Sequence, residues 1–264
     1  MLECVVNVSE GADADRIARL TRAAGRDLLD VHSDSHHNRS VLTLLGEAAP
    51  RRVAAEAVAV LDIGAHRGVH PRIGVVDVVP FVPLGDSTLT DAEAARDRFL
   101  AWAATDLGVP GFAYGRERSL PDVRRGAFRD LAPDAGPARP HPTAGAVAVG
   151  AREVLVAWNV WLADRDLERA RQVAAVVRGP HVRALGLQVG GRVQVSMNLV
   201  APHEVGPADA WDAVAAHASA AGAELVGLVP ASVLDRVDPE RWSQLDLDAE
   251  RTIEARIARA GTPD

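Results

Sequence analysis

A chain of 264 residues with 48% hydrophobic side chains can close one large packed core or two smaller ones, which excludes a disordered protein. Its formal charge of −7 argues against a general nucleic-acid binder, because neutralising phosphates wants a basic face, and no apolar run approaches the roughly 18 residues of a membrane span. Every basic residue is arginine, and the absence of lysine excludes both a Schiff-base lysine for pyridoxal phosphate and a Walker A lysine for nucleotide phosphates.

The motifs GxGxxG, HExxH, CxxC and GxSxG are missing as well. One cysteine, Cys4, can make no internal disulfide. The first residues, MLECVVNVSEG, put Glu3 and no basic region ahead of the apolar ones, so no signal peptide is expected and the cytoplasm is the expected compartment.

In chain order, residues 2–8 read as a strand closed by Ser9-Glu10-Gly11, and 13–26 as a helix with Ile17 and Leu20 on one face. Residues 27–34 and 40–45 read as two strands joined by the polar link 35–38. Residues 49–63 are alanine-rich and helical. Thr90 with Glu93 three residues on predicts a capping box, opening a helix that runs to residue 106, and 110–114 is one more short strand. Residues 115–142 are rich in Arg, Pro and Gly without a sustained period, and read as an inter-lobe segment covering a site. Beyond it come a strand at 153–162, a helix at 164–178 with Asp164 as N-cap, and strands at 182–187 and 192–199 across the Gly190-Gly191 turn. A helix at 207–221, a strand at 224–229 and a last helix at 246–260 complete the chain.

The centre of this pattern is the stretch 68–84, GVHPRIGVVDVVPFVPL. Its second half is a β-branched apolar run of buried-strand length, interrupted only by Asp77 and Pro80. Its first half sets His70, Pro71 and Arg72 where a helix must end and the strand begin, since proline disfavours helix at the residue before it. A titratable imidazole beside a guanidinium at the mouth of a sheet suits a general base, although a lone histidine at such a junction is most often a cap or a surface residue.

The order β-α-β-β-α-β occurs twice. It predicts an α/β (α+β) chain of two ferredoxin-like sandwich lobes, residues 1–142 and 143–264, with a cleft between them as the place for a small-molecule site.

Five stretches carry a resemblance. ECVVNVSEG (3–11), DSHHNRSVLTLLG (34–46), the central GVHPRIGVVDVVPFVPL, PDAGPARPHPTAGAVAVGAR (133–152) and VQVSMNL (193–199) resemble, in order over nearly the whole chain, the formiminotransferase family. These are glutamate formimidoyltransferases, alone in bacteria or fused to a cyclodeaminase in animals. The resemblance implies a two-lobed, dimeric fold and transfer of a formimino group from N-formimidoylglutamate to N5 of tetrahydrofolate, with folate as co-substrate and no metal. The expected partners are those two small molecules and a second copy of the chain. Nothing here resembles the cyclodeaminase, so only the transferase half-reaction is expected.

The family's catalytic histidine stands immediately before Pro-Arg in the central motif, which carries over to His70. A neutral imidazole accepts near pH 7 the proton that N5 loses on attack. A protonated formimino group is a cation, so a carboxylate beside it orients it and stabilises charge; Asp34 is the candidate. Arg39 and Arg72 suit the carboxylates of glutamate, with Asn38 beside them. By resemblance the segment from Asp134 to Thr143, with Gly136, Pro137, Arg139 and His141, forms part of the folate-binding wall.

Three rival functions fit the same residues. His32, Asp34, His36, His37, His66 and His70 fall close together and present a potential metal set, so a metal-dependent hydrolase is the rival from another class. Formyl transfer on a related donor is the second, and a catalytically silent, folate-binding role is the third. The tryptophans 102, 158, 161, 211 and 242 read as core or interface anchors, and Asn159 and Asn198 as inward amides that need a partner. Departures from the family pattern are Arg67 in place of the usual lysine, a short loop at 116–125 and an abbreviated turn after Arg178, which bear on the choice of substrate.

Overall fold

The first strand, β1 (Leu2–Val8), is buried at nearly every position because both of its edges are paired and both of its faces covered. It belongs to a computed structural model that describes residues 1–68 and 71–261. The chain divides into two units, Met1–Glu153 and Val154–Asp264. The first unit runs past the boundary expected at residue 142, because the strand at 147–151 is hydrogen-bonded into its sheet.

In the first unit β1 is followed by α1 (Ala14–Ala24), β2 (Leu28–Asp34), β3 (Arg39–Leu45), α2 (Ala48–Val60) and β4 (Val76–Pro83). Then come α3 (Leu89–Asp106), β5 (Gly111–Tyr114), α4 (Leu120–Gly126) and β6 (Val147–Ala151). The sheet order is β2-β3-β1-β4-β6-β5. Its first four strands, with α1 and α2, have the ferredoxin-like βαββαβ arrangement, and β6 and β5 extend the sheet in parallel beyond β4. The alternating side chains Cys4, Val6 and Val8 of β1 and Leu42 and Leu44 of β3 meet Leu20, Val53, Ala57, Ala92 and Phe99 from α1, α2 and α3. The many alanines let the helices lie close to the sheet. A smaller core on the other face joins Val78, Phe112, Tyr114, Ala146 and Ala148 to Val123 of α4. β6 is thus buried on both faces, which is why it reads VAVGA without a polar alternation.

The second unit has β7 (Val156–Leu162), α5 (Leu167–Val177), β8 (Val182–Val189), β9 (Arg192–Leu199), α6 (Pro207–Ala215) and β10 (Ala220–Val226). Its antiparallel order β10-β7-β9-β8 repeats the ferredoxin-like arrangement. Trp158, fully buried, packs with Val195, Met197, Val173 and Leu245, and its indole N–H donates to the Leu245 carbonyl at 2.9 Å. That bond ties the C-terminal segment, with α7 (Ala231–Leu234) and α8 (Ile253–Ala260), to the core. No helix among the described residues is long and apolar enough to cross a membrane.

Several local expectations need correction. The α3 capping box is Thr88 with Asp91, two residues before the expected pair, and α5 is capped by Asp166 rather than Asp164. In both places two cap-competent residues stand close together, and the apolar period alone does not choose between them. The helix expected at 207–221 stops at Ala215, and the alanine-rich residues after it form β10, pairing with β7. The 115–142 segment contains α4, started by a Ser119–Asp122 capping box. The last helix is shorter than expected, beginning at Ile253.

Candidate active site

β1 runs antiparallel to both β3 and β4, so the end of β1 and the starts of β3 and β4 lie at one end of the first sheet. Asn7, Arg39 and Asp77 meet there. Asp77 owes its place to a bulge: Asn7 pairs with Val78 and Val8 with Val76, which leaves Asp77 as the extra residue on β4. Bulges re-aim side chains, and this one turns a carboxylate that is only 2% exposed toward basic groups. Its Oδ1 accepts from the Ile73 N–H at 2.9 Å, its Oδ2 accepts from Arg124 at 2.6 Å, and Arg39 stands 3.8 Å away. The Arg39 guanidinium also donates to Asn7 Oδ1. Burial pushes Arg39 down to about 10 against the opposing pull of Asp77, which still leaves it charged at neutral pH.

The turn 35–38 between β2 and β3 lies at the same end. The Asp34 carboxylate accepts from the His37 N–H at 2.8 Å and pairs with His37 Nδ1 at 2.9 Å. Burial raises the Asp34 carboxyl, but the His37 backbone and ring bonds outweigh it and hold the group below the usual carboxylate range. Asn38 takes a left-handed conformation, φ 48°, that its short amide tolerates. Its Oδ1 accepts from Gly11 N–H and its Nδ2 donates to the Arg67 carbonyl, each at 2.8 Å. Gly11 is needed because a Cβ would stand 2.4 Å from the Asp34 carbonyl oxygen.

The connection from α2 to β4 closes over this turn. A Cβ on Gly68 would lie 2.6 Å from the His37 carbonyl, so the backbone there sits directly on the turn. His66 Nε2 faces the Asn38 carbonyl at 2.9 Å and must donate to it, whereas its Nδ1 faces the Arg72 guanidinium and must accept. The ring is thereby fixed in one neutral tautomer. Arg72 donates further to the Gly68 carbonyl at 2.8 Å, and burial lowers its pKa against the pull of Asp77. His70, the expected base, lies outside the described residues, while Gly68 and Arg72 on either side of it both belong to this cluster.

The expected folate wall divides. Ala144 N–H donates to His141 Nδ1 at 3.0 Å, and the His141 and Gly145 backbones exchange hydrogen bonds. Ile63 N–H donates to the Thr143 carbonyl at 2.7 Å, Val75 N–H to Ala144 and Ala146 N–H to Ile73, each at 2.9 Å. His141 and Thr143 are thus held against the connection that carries Arg72. Pro137 and Arg139 are exposed. Gly136 has φ +88°, with Pro110 Cα 3.0 Å from where a Cβ would stand. The Asp134 carboxylate accepts from Ala113 N–H at 2.8 Å and from Arg118 at 2.9 and 3.0 Å. It borders a cavity of about 400 Å³ with Arg96 and Glu117, beside edge strand β5. β5 is four strand spacings from β3, roughly 19 Å, so Asp134 and Arg39 are not brought together.

Among the described residues no group of three or more His, Cys, Asp and Glu could hold a metal ion; His70 of the rival set is outside them. His36 and His37 meet edge to face at 5.8 Å. Trp158 and Trp211 are buried core residues, Trp102 and Trp242 are half-buried against the two cores, and Trp161 is half-buried under Arg192 at 4.0 Å. Asn159 donates to Glu224 at 3.0 Å, and Asn198 is exposed. Sequence reasoning passed over Asn7, Asp77 and Arg124. Asp77 alone carried a signal, as a carboxylate inside an apolar strand, where a buried charge must be paired.

Residues 1–152 match the formiminotransferase domain, N-terminal subdomain, which sets the class of the unit that carries this cluster. The chain is 34% identical to the glutamate formimidoyltransferase of Streptococcus pyogenes serotype M1, covering 96% of this chain and 97% of that one. It is 34% identical to the glutamate formimidoyltransferase of Thermoplasma acidophilum, covering 98% of each. Against the formimidoyltransferase-cyclodeaminase of Sus scrofa it is 32% identical over 89% of this chain and 51% of that longer protein. The chain belongs to the formiminotransferase family.

Proposed function

We propose that this enzyme transfers the formimidoyl group of N-formimidoyl-L-glutamate to N5 of tetrahydrofolate. The observation that carries the reading is the full-length similarity to two glutamate formimidoyltransferases, which spans both units.

In this reading N5 attacks the formimidoyl carbon, forming the N5–C bond and a tetrahedral intermediate. His70 takes the N5 proton and returns it to the glutamate nitrogen as the C–N bond breaks, so the base is restored at each turnover. Asp34, ionised at neutral pH and steadied by His37, supports the cationic formimidoyl group. Arg39, Asn38 and Arg72 line the carboxylate-binding side; of the expected folate wall, His141 and Thr143 stand beside that side and serve it, whereas Asp134, Gly136, Pro137 and Arg139 lie toward edge strand β5 and are left out of this reading. Tetrahydrofolate is a co-substrate rather than a resident group, and the steps call on no metal. The acting form is a homodimer. The test is incubation with both substrates, following 5-formimidoyl-tetrahydrofolate by absorbance. Its formation at catalytic enzyme concentration supports the reading, and turnover only with a formyl donor replaces it.

A further inference from the structure

At this end of the sheet one buried carboxylate serves two guanidinium groups. Asp77 is a single buried carboxylate facing Arg124 at 2.6 Å and Arg39 at 3.8 Å, and its other oxygen is taken by the Ile73 N–H beside Arg72. The bonds of Arg39 to Asn7 go to a neutral amide oxygen. The neighbouring acids are committed elsewhere. Glu10 accepts from Ala12, Asp13 and Arg16, and Asp34 is held by His37. Tyr114, which burial pushes up to about 12, is neutral. Arg124 Nε is buried and has no hydrogen-bond partner among the described residues. A buried donor of that kind calls for an acceptor.

The place of Arg124 is also fixed without a ligand. α4 is started by the Ser119–Asp122 capping box, and Val123, beside Arg124, is fully buried in the smaller core. A guanidinium built into packed structure in this way is preorganised for binding.

We propose that Arg124, aligned by Asp77, is a further guanidinium of the site and takes a carboxylate of a glutamate moiety, with Asp77 as its positioning residue. The inference rests on the transfer reading for which glutamate is meant. That moiety belongs to the formimidoyl donor or to the glutamyl tail of the folate, and both offer the same planar carboxylate to a forked donor.

The experiment compares wild type, Arg124→Gln, Arg124→Lys and Asp77→Asn by calorimetric titration with L-glutamate and by steady-state kinetics, with Tm recorded for each. The result expected of Arg124→Gln is a roughly 10- to 100-fold weaker Kd for L-glutamate and a matching rise in one KM, with kcat little changed and part of the loss restored in Arg124→Lys. A rise confined to the KM of N-formimidoylglutamate assigns the carboxylate to the donor. A rise confined to the KM of polyglutamylated tetrahydrofolate assigns it to the folate tail. A folded Arg124→Gln protein with wild-type Kd and both KM values unchanged overturns the proposal. Arg124-dependent glutamate binding in a wild-type protein that transfers nothing would sink the transfer reading and leave the subsite standing.

Discussion

Gly74 and Gly145 lie in backbone contact: a Cβ on Gly145 would stand 2.9 Å from the Gly74 Cα and 2.4 Å from the Ile73 carbonyl oxygen. The contact presses the residues entering β4 against the segment entering β6, and the two exchange the Val75–Ala144 and Ala146–Ile73 hydrogen bonds. It therefore fixes the position of Arg72 relative to His141 and Thr143.

Gly145→Ala tests that contact. Its φ of +73° disfavours any Cβ, and the neighbours that would have to move are backbone atoms. The expected loss of unfolding free energy is roughly 2–4 kcal/mol, read from urea melts. The KM values should rise with it. A variant as stable as wild type would show that the two segments are separable.

His66 gives the protein a pH dependence. Burial lowers its pKa from 6.5, the bond to Asn38 opposes this, and Arg72 adds to the lowering, with Glu10 and Arg67 as the other charges near it. Just below pH 6.5 the unfolded chain binds a proton there that the folded chain refuses. Stability therefore rises with pH through that window and is lost as pH falls. Urea melts at about pH 7.5 and pH 5.5 should show a larger acid loss in wild type than in His66→Gln; equal losses would remove His66 as the source.

Asp34→Asn separates charge from shape. The amide oxygen can still accept from His37 N–H, so the turn should survive with an unfolding free energy within about 1 kcal/mol of wild type. If the carboxylate supports a cationic formimidoyl group, kcat should fall about 100-fold or more. Unchanged kcat would reduce Asp34 to a turn residue.

Much of this arrangement could be read from the residues. The strands β1, β3 and β9 sit within a residue of where the sequence placed them, because each is a short apolar run with a turn signal at its end. The turn carrying Asp34, Asn38 and Arg39 was legible for the same reason. β6 was not, because a strand buried on both faces has no alternation and its short VAVGA run follows an irregular segment. Asp77 was visible as an oddity and unreadable as a site, since the bulge that aims it depends on pairing with β1. Arg124 was hidden among the arginines of 115–142, whose helix is set by one Ser–Asp cap and one buried valine. The cap positions of α3 and α5 slipped because neighbouring residues there have equal capping chemistry.

The central claim is that an imidazole at residue 70 moves the proton released when tetrahydrofolate takes the formimidoyl group. Its most direct measurement is the initial rate of 5-formimidoyl-tetrahydrofolate formation by wild type and His70→Ala, with tetrahydrofolate binding measured alongside. The account predicts turnover by wild type, a loss of roughly 100-fold or more in the variant, and little change in folate affinity. Near-wild-type turnover by His70→Ala would contradict it.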